Sequence, residues 1–291
     1  MINCLKNRQK HKIKEPLHLL LPLGTKRNQE RSSTSPPRKM HLRLLLLAFF
    51  LPPKARAGEI IGGHEAKPHS RPYMAYLQFL SQNSLRTCGG FLIREDFVLT
   101  AAHCLGRPMN VTLGAHNIKK QEKTQQVIPV KRTIPHPDYD DHYFYNDIML
   151  LQLEKKAKLN PAVKLIKLPR GKDKVKPGKV CLVAGWGRVA QNGRYSNTLQ
   201  EVELTLQEDH VCKNHFSNYN SNIETCVGDP KKKNASFQGD SGGPLVCNRV
   251  AQGIVSYGKK NGTPPGVYTK VSRFLQWLKE TMKSHQEQKT D

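Results

Sequence analysis

From residue 60 onward the chain breaks into short runs of β-branched and aromatic residues, among them Phe91–Leu99, Val127–Val130, Val180–Ala184 and Gly253–Tyr257. Clusters of Gly, Pro, Asn and Asp separate these runs at short intervals. Such a pattern predicts an all-β sandwich or barrel and excludes alternating βαβ units. No self-similarity at a period of roughly 20–50 residues is present, so a solenoid is excluded too. One helix is predicted, over about 272–283. Ser272 would cap it, and Phe274, Leu275, Leu278 and Met282 would fall on one apolar stripe. A polar tail from Ser284 to Asp291 is expected to follow it.

The 291 residues are 37% hydrophobic, enough to build a sizeable core in one large or two small domains. No run of roughly 18 apolar residues occurs, so no membrane-spanning helix is expected. The net charge of +24 is uneven: residues 1–59 hold 13 of the 47 Lys and Arg and 3 of the 23 Asp and Glu, which leaves +14 on the rest. A cationic surface of that size suits a polyanion partner or simple solvation. No nucleic-acid motif accompanies it, and the aromatic residues are not interleaved with the basic ones, which argues against nucleic acid. No metal cluster, nucleotide loop or cofactor motif is visible, and none is expected to be needed.

Cysteines stand at 4, 88, 104, 181, 212, 226 and 247. None are spaced as CxxC, which argues against zinc and thioredoxin chemistry. The six in the body of the chain suit disulfides formed in an oxidising compartment, and Cys4 is left over. Spacing alone does not choose among the possible pairings.

The stretch from Met40 has the layout of a secretory signal peptide cut after Ala57. His41 and Arg43 precede the apolar run Leu44–Leu51, then Pro52 and Pro53, and Ala55 and Ala57 bracket Arg56. Residues 1–39 are basic and rich in Ser and Pro. They are expected to be either a gene-model extension ahead of a start at Met40 or a disordered tail.

Three motifs carry chemistry: Leu99-Thr-Ala-Ala-His-Cys104, Asn146-Asp147-Ile-Met-Leu-Leu-Gln-Leu153 and Gly239-Asp-Ser-Gly-Gly-Pro244. A serine hydroxyl is a poor nucleophile near neutral pH until a base removes its proton. The base needs a carboxylate to hold its tautomer, and the oxyanion needs backbone donors where charge develops. In His–Asp–Ser order these motifs resemble the chymotrypsin-fold serine proteases, over residues 60 to about 283. The resemblance implies two antiparallel Greek-key β-barrels with a boundary near 165–175 and a C-terminal helix. It makes His103 the base, Asp147 its orienting carboxylate and Ser241 the nucleophile, with the amides of Gly239 and Ser241 as oxyanion hole. Ile60-Ile-Gly-Gly63 resembles the family's mature N-terminus, whose freed amino group would pair with Asp240.

Glu59 precedes Ile60, so a trypsin-like activator has no basic residue to cut after. Gly58-Glu59 is instead similar to the dipeptide that granzymes and mast-cell proteases lose to a dipeptidyl peptidase. The phrases Ile60–Leu77, Cys88–Ile93, Phe97–Cys104 and Asn110–Lys119 resemble the granzyme B and H group most. The family pattern pairs Cys88 with Cys104, Cys181 with Cys247 and Cys212 with Cys226. Phe237 occupies the place of a further family cysteine, an absence shared by granzymes, chymases and cathepsin G.

The same resemblance puts Ala235 on the floor of the specificity pocket, Ser256-Tyr257-Gly258 on one wall, and Gly266 where Asp-cleaving members carry an arginine. The pocket then has neither a carboxylate for Lys or Arg nor a guanidinium for Asp. The expected substrates are proteins cut after Phe, Tyr, Leu or Met. An alternative is cleavage after Asp, using Lys259 or Lys260, although both lysines look like a solvated loop. Another is a non-catalytic polyanion or microbial-membrane binder. Phe144 and Gln238 are expected beside neighbouring subsites. The resemblance further implies secretion, granule storage on acidic sulfated proteoglycan and openness to serpin-type inhibitors, and a monomer is the default expectation. Of three Asn-x-Ser/Thr sequons, Asn110, on an expected surface loop, and Asn261 are candidate glycan sites. Asn234 lies too near the pocket floor to suit a glycan.

Overall fold

The computed structural model describes residues 60–171, 175–190 and 193–287. The extension, signal peptide and activation dipeptide expected within 1–59 lie outside the described residues. After β1 (His64–Glu65), six strands close into a barrel: β2 (Met74–Ser81), β3 (Ser84–Arg94), β4 (Phe97–Thr100), β5 (Met109–Leu113), β6 (Gln126–Pro135) and β7 (Met149–Leu153). Their order around the barrel is β2-β3-β4-β7-β6-β5. Of the run expected over Phe91–Leu99, the charged Glu95 and Asp96 make a turn that divides it between β3 and β4. In β4 and β7 every residue is buried. In β2 buried and less buried positions alternate, as a strand with one face on the core requires.

The second half contains β8 (Val180–Gly185), β9 (Gln200–Thr205), β10 (Glu224–Val227), β11 (Pro244–Cys247), β12 (Val250–Gly258) and β13 (Gly266–Lys270). With β1 they form an antiparallel sheet in the order β1-β9-β8-β11-β12-β13-β10. The sheet curls until β10 meets the chain just past β9 through an isolated antiparallel bridge, Leu206 with Val227. A short helix, α1 (Asp209–Lys213), precedes β10. The core of this half gathers Ile60, Val183, Val202, Leu245 and Tyr268.

The C-terminal helix, α2, runs Leu275–Glu287. It begins later than expected because Val271–Arg273 winds as a 3₁₀ turn, which puts Ser272 inside that turn and not at the helix cap. It also takes in the first part of the expected polar tail, as far as Glu287. Phe274 and Leu278 bury into the core of the first barrel, with Leu275, Trp277 and Met282 packed beside them. No helix among the described residues is long and apolar enough to cross a membrane.

Candidate active site

Strand pairing brings the histidine and the aspartate together. In the β4–β7 ladder Thr100 lies opposite Met149, so the residues just after β4 and just before β7 emerge at the same end. There His103 sits in a 3₁₀ turn, Ala102–Cys104, and Asp147 is fully buried. Nδ1 of His103 lies 2.7 Å from Oδ2 of Asp147, and the His103 amide donates to Oδ1 at 2.9 Å. Ser256 Oγ donates to the same Oδ2 at 2.5 Å, and Thr269 Oγ1 donates to the Asp147 carbonyl at 2.9 Å.

These contacts set the electrostatics. Burial opposes a charged imidazole at His103, but the Asp147 charge and hydrogen bond together outweigh it and raise its pKa. Burial likewise opposes the Asp147 carboxylate. Charge and hydrogen bonds from His103 and the Ser256 hydroxyl overcome it, so Asp147 is held below the usual carboxylate range. The imidazole is thereby fixed with Nδ1–H toward Asp147 and Nε2 free to accept a proton.

Ser241 arrives from the other half of the molecule, on the turn that enters β11. Its carbonyl accepts the Gly89 amide of β3 at 2.8 Å, and Gly89 in turn holds the Thr100 hydroxyl at 2.8 Å. His103 and Ser241 line one cleft. Gly239 has φ +98°, and a Cβ there would come within 2.7 Å of the Tyr195 ring and 2.9 Å of Gly187 Cα. That turn requires glycine.

Asp240 is fully buried. Its Oδ1 and Oδ2 accept the amides of Gly187 and Phe237, each at 2.9 Å. Burial pushes its carboxyl up to about 7 despite those two donors. Ile60 is fully buried as well. The carbonyls of Ile61 and Gly62 receive Ala235 N–H at 3.0 Å and Asn234 Nδ2 at 3.1 Å, so residues 60–62 lie along the segment leading to Asp240.

Beside Ser241 opens a cavity of about 230 Å³. Ala235, Ser256, Tyr257, Gly258 and Gly266 all line it, with Val227, Val255 and Tyr268, and no carboxylate does. A Cβ at Gly258 would approach only the Gly266 Cα, at 3.8 Å. One at Gly266 would meet Tyr268 Cε2 at 3.4 Å, so neither wall is crowded. Phe237, in place of the absent bridge, lays its ring against Gly262. The expectation for Lys259 needs correction. Both lysines line the cavity, but Lys259 is half-buried and donates to the Pro264 carbonyl at 3.0 Å, whereas Lys260 is exposed. Two signals escaped the sequence reading: the Ser256 hydroxyl as a donor to Asp147, and the Thr269 contact.

The six cysteines form three disulfides, Cys88–Cys104, Cys181–Cys247 and Cys212–Cys226, the pairs that the resemblance implied. Asn110 is exposed but belongs to β5, not to a loop, because its backbone pairs with Gln78 and Pro129. Asn261 is exposed, and its side-chain oxygen accepts from Thr263.

A barrel and a curled antiparallel sheet that meet at a His–Asp pair, its aspartate fully buried, and at a turn-borne serine are the arrangement of a serine endopeptidase. A family model described as Trypsin matches residues 60–278, and the chain belongs to that family, as a protease of granzyme and chymase type. It is 66% identical to granzyme B of Homo sapiens over 243 residues, 83% of this chain and 98% of that protein. Granzyme H of Homo sapiens is 65% identical over 82% of this chain and 98% of its own length. Cathepsin G of Mus musculus is 58% identical over 82% and 92%. A solved chain described as "Structure of GrC" superposes with a TM-score of 0.75 at 58% identity, covering 77% of this chain and all of that one.

Proposed function

We propose that the chain is a secreted granule protease that cleaves after Phe, Tyr, Leu or Met in proteins met during cytotoxic killing. The observation that carries the cleavage preference is the cavity beside Ser241, which no carboxylate lines and whose walls include Ala235, Val227, Val255, Gly258 and Gly266 beside Lys259 and Lys260. Burying a large apolar side chain there contributes on the order of 2–3 kcal/mol. An unpaired charge in the same place is penalised.

In this reading Ser241 Oγ attacks the substrate carbonyl carbon and passes its proton to His103 Nε2. Asp147 stabilises the imidazolium, and the amides of Gly239 and Ser241 receive the oxyanion. The C–N bond breaks as the proton moves from His103 to the leaving amine, and water repeats the sequence on the acyl-enzyme. The reaction requires a free Ile60, released from Gly58-Glu59 by a dipeptidyl peptidase, whose amino group pairs with Asp240. Sulfated proteoglycan is the storage partner for the cationic surface.

Cleavage after Asp has one observation in its favour, Lys259 and Lys260 in the cavity lining. The Lys259 ammonium is already held by the Pro264 carbonyl, which argues for the apolar preference. The test is kcat/KM for the chain beginning at Ile60 on peptides that differ only in the residue cleaved after (Phe, Leu, Asp or Lys), with Ser241→Ala as control. Preference for Phe or Leu supports the proposal. Preference for Asp overturns the pocket reading and leaves the protease intact.

A further inference from the structure

Glu224 is a buried carboxylate that neither the triad nor the cavity uses. It lies in β10 and is only 2% exposed. Its Oε2 accepts the Asn220 amide at 2.7 Å and the Tyr257 hydroxyl at 3.2 Å, and Oε1 has no hydrogen-bond partner. A buried carboxylate with an idle oxygen is a net burden on the fold compared with an apolar residue of similar shape. Burial lifts its carboxyl to about 7; the Asp147 charge adds to that, and the Asn220 amide, Tyr257 hydroxyl and Lys270 oppose it. Tyr219 is a further neighbour: its hydroxyl lies within hydrogen-bond distance of Asp209 at 2.5 Å and of the Glu224 carbonyl at 3.3 Å.

What Glu224 holds is Tyr257. That ring lines the specificity cavity. It packs edge-on to Phe216 at 5.5 Å between centroids and tilted against Phe144 at 5.6 Å. Phe144 in turn meets the His103 ring edge-on at 5.8 Å. A continuous aromatic wall therefore runs from Phe216 to the catalytic imidazole. Phe144 holds its place with φ +61°, a conformation that non-glycine residues adopt only where the surroundings impose it.

We propose that Glu224 is a positioning residue: by anchoring the Tyr257 hydroxyl it fixes the Phe216–Tyr257–Phe144 wall, against which substrate residues preceding the scissile bond pack. It touches no reacting atom and acts through Tyr257 alone. The inference rests on the protease reading of this cleft and adds a contact that the specificity cavity does not provide.

The test compares two substrates cleaved after the same Phe: a tetrapeptide with apolar residues ahead of it, and a blocked single Phe ester. Both are assayed from pH 6 to 8.5 with the chain beginning at Ile60. Glu224→Leu is expected to lower the tetrapeptide-to-ester ratio of kcat/KM by about tenfold, mainly through KM. Glu224→Gln, which can still accept from Tyr257, is expected to restore most of that ratio. An unchanged ratio in Glu224→Leu, or equal losses on both substrates, overturns the proposal and leaves Glu224 a structural residue. Should Glu224→Leu not fold, Tyr257→Phe, which keeps the ring and removes the anchored hydroxyl, decides: a fall in the ratio supports the proposal, and an unchanged ratio overturns it. Folded parent protein inactive on both substrates would refute the protease reading and this inference with it.

Discussion

Retaining or removing Glu59 should change how stability depends on pH, and Asp240 sets the size of the change. Its carboxyl is lifted from 3.8 to about 7 by complete burial, with only two amides as donors. Because the folded state binds this proton more tightly than the unfolded state, the contribution is fully present below pH ~4 and is lost as pH rises through about 7. Roughly 3 pK units at 1.36 kcal/mol each make that loss about 4 kcal/mol. We expect a chain beginning at Glu59 to carry this penalty at pH 8. A chain beginning at Ile60 should escape most of it, since its ammonium group would pair with the ionised carboxylate. The assay is urea unfolding from pH 4 to 8 on both chains and on Asp240→Asn in each. In the Glu59 chain Asp240→Asn should flatten the slope by most of that amount, even though its amide group faces a backbone donor and lowers stability at every pH. Glu224, also lifted to about 7, titrates in both chains and cancels in the comparison. Identical slopes for the two chains, or a slope that Asp240→Asn leaves unchanged, would refute the reasoning.

The pocket and the triad give further expectations. Gly266→Arg finds room near Tyr268 and should lower kcat/KM for Phe substrates at least tenfold while creating activity after Asp, read on the same peptide panel. Gly239→Ala would force a Cβ to within 2.7 Å of Tyr195 at a left-handed φ, so kcat should fall by about 10²–10³, the loss associated with one oxyanion donor, with KM nearly constant. The acid limb of kcat/KM should lie above the ordinary imidazole value, because Asp147 raises His103. Ser256→Ala removes a donor from Asp147, so the pH profile of that variant should show a further alkaline displacement of the limb. Replacing Cys181 and Cys247 opens a closure of 66 residues and should lower stability by about 4 kcal/mol in urea unfolding.

What could be read in the sequence was of two kinds. Strand character was legible wherever burial is continuous: every residue of Met149–Leu153 is buried, and the run declares itself. The candidate triad could be marked because each proposed member sits in a local motif, with glycines marking the turn around Ser241. Boundaries failed where local and tertiary signals disagree. Glu95 and Asp96 turn the chain inside an apparently continuous run. Ser272 looked like a helix cap but is absorbed into a 3₁₀ turn by the packing of Val271 and Phe274. Lys259 looked solvated because its partner, the Pro264 carbonyl, is a backbone atom that composition does not reveal. Glu224 gave no signal at all, since nothing in a strand of four residues states which carboxylates will be buried against a tyrosine hydroxyl.

The same limit explains why the site works as a unit. Asp147 comes from the first barrel, yet two of its hydrogen bonds come from Ser256 and Thr269 on β12 and β13 of the second half. Ser241 comes from the second half, yet its carbonyl is held by Gly89 of β3. Each half therefore orients the other's candidate catalytic group, and a Cβ at Gly242 would come within 2.5 Å of the Gly89 carbonyl across that seam. Slight separation of the halves would lengthen the bonds that hold Asp147 and Ser241 together, while leaving both hydrophobic cores intact. Activity should then be lost before the fold is. During progressive urea titration, kcat/KM is expected to decline at concentrations where tryptophan fluorescence and far-UV dichroism still report the native state. Coincident loss of activity and structure would show that the seam is as stable as the barrels it joins.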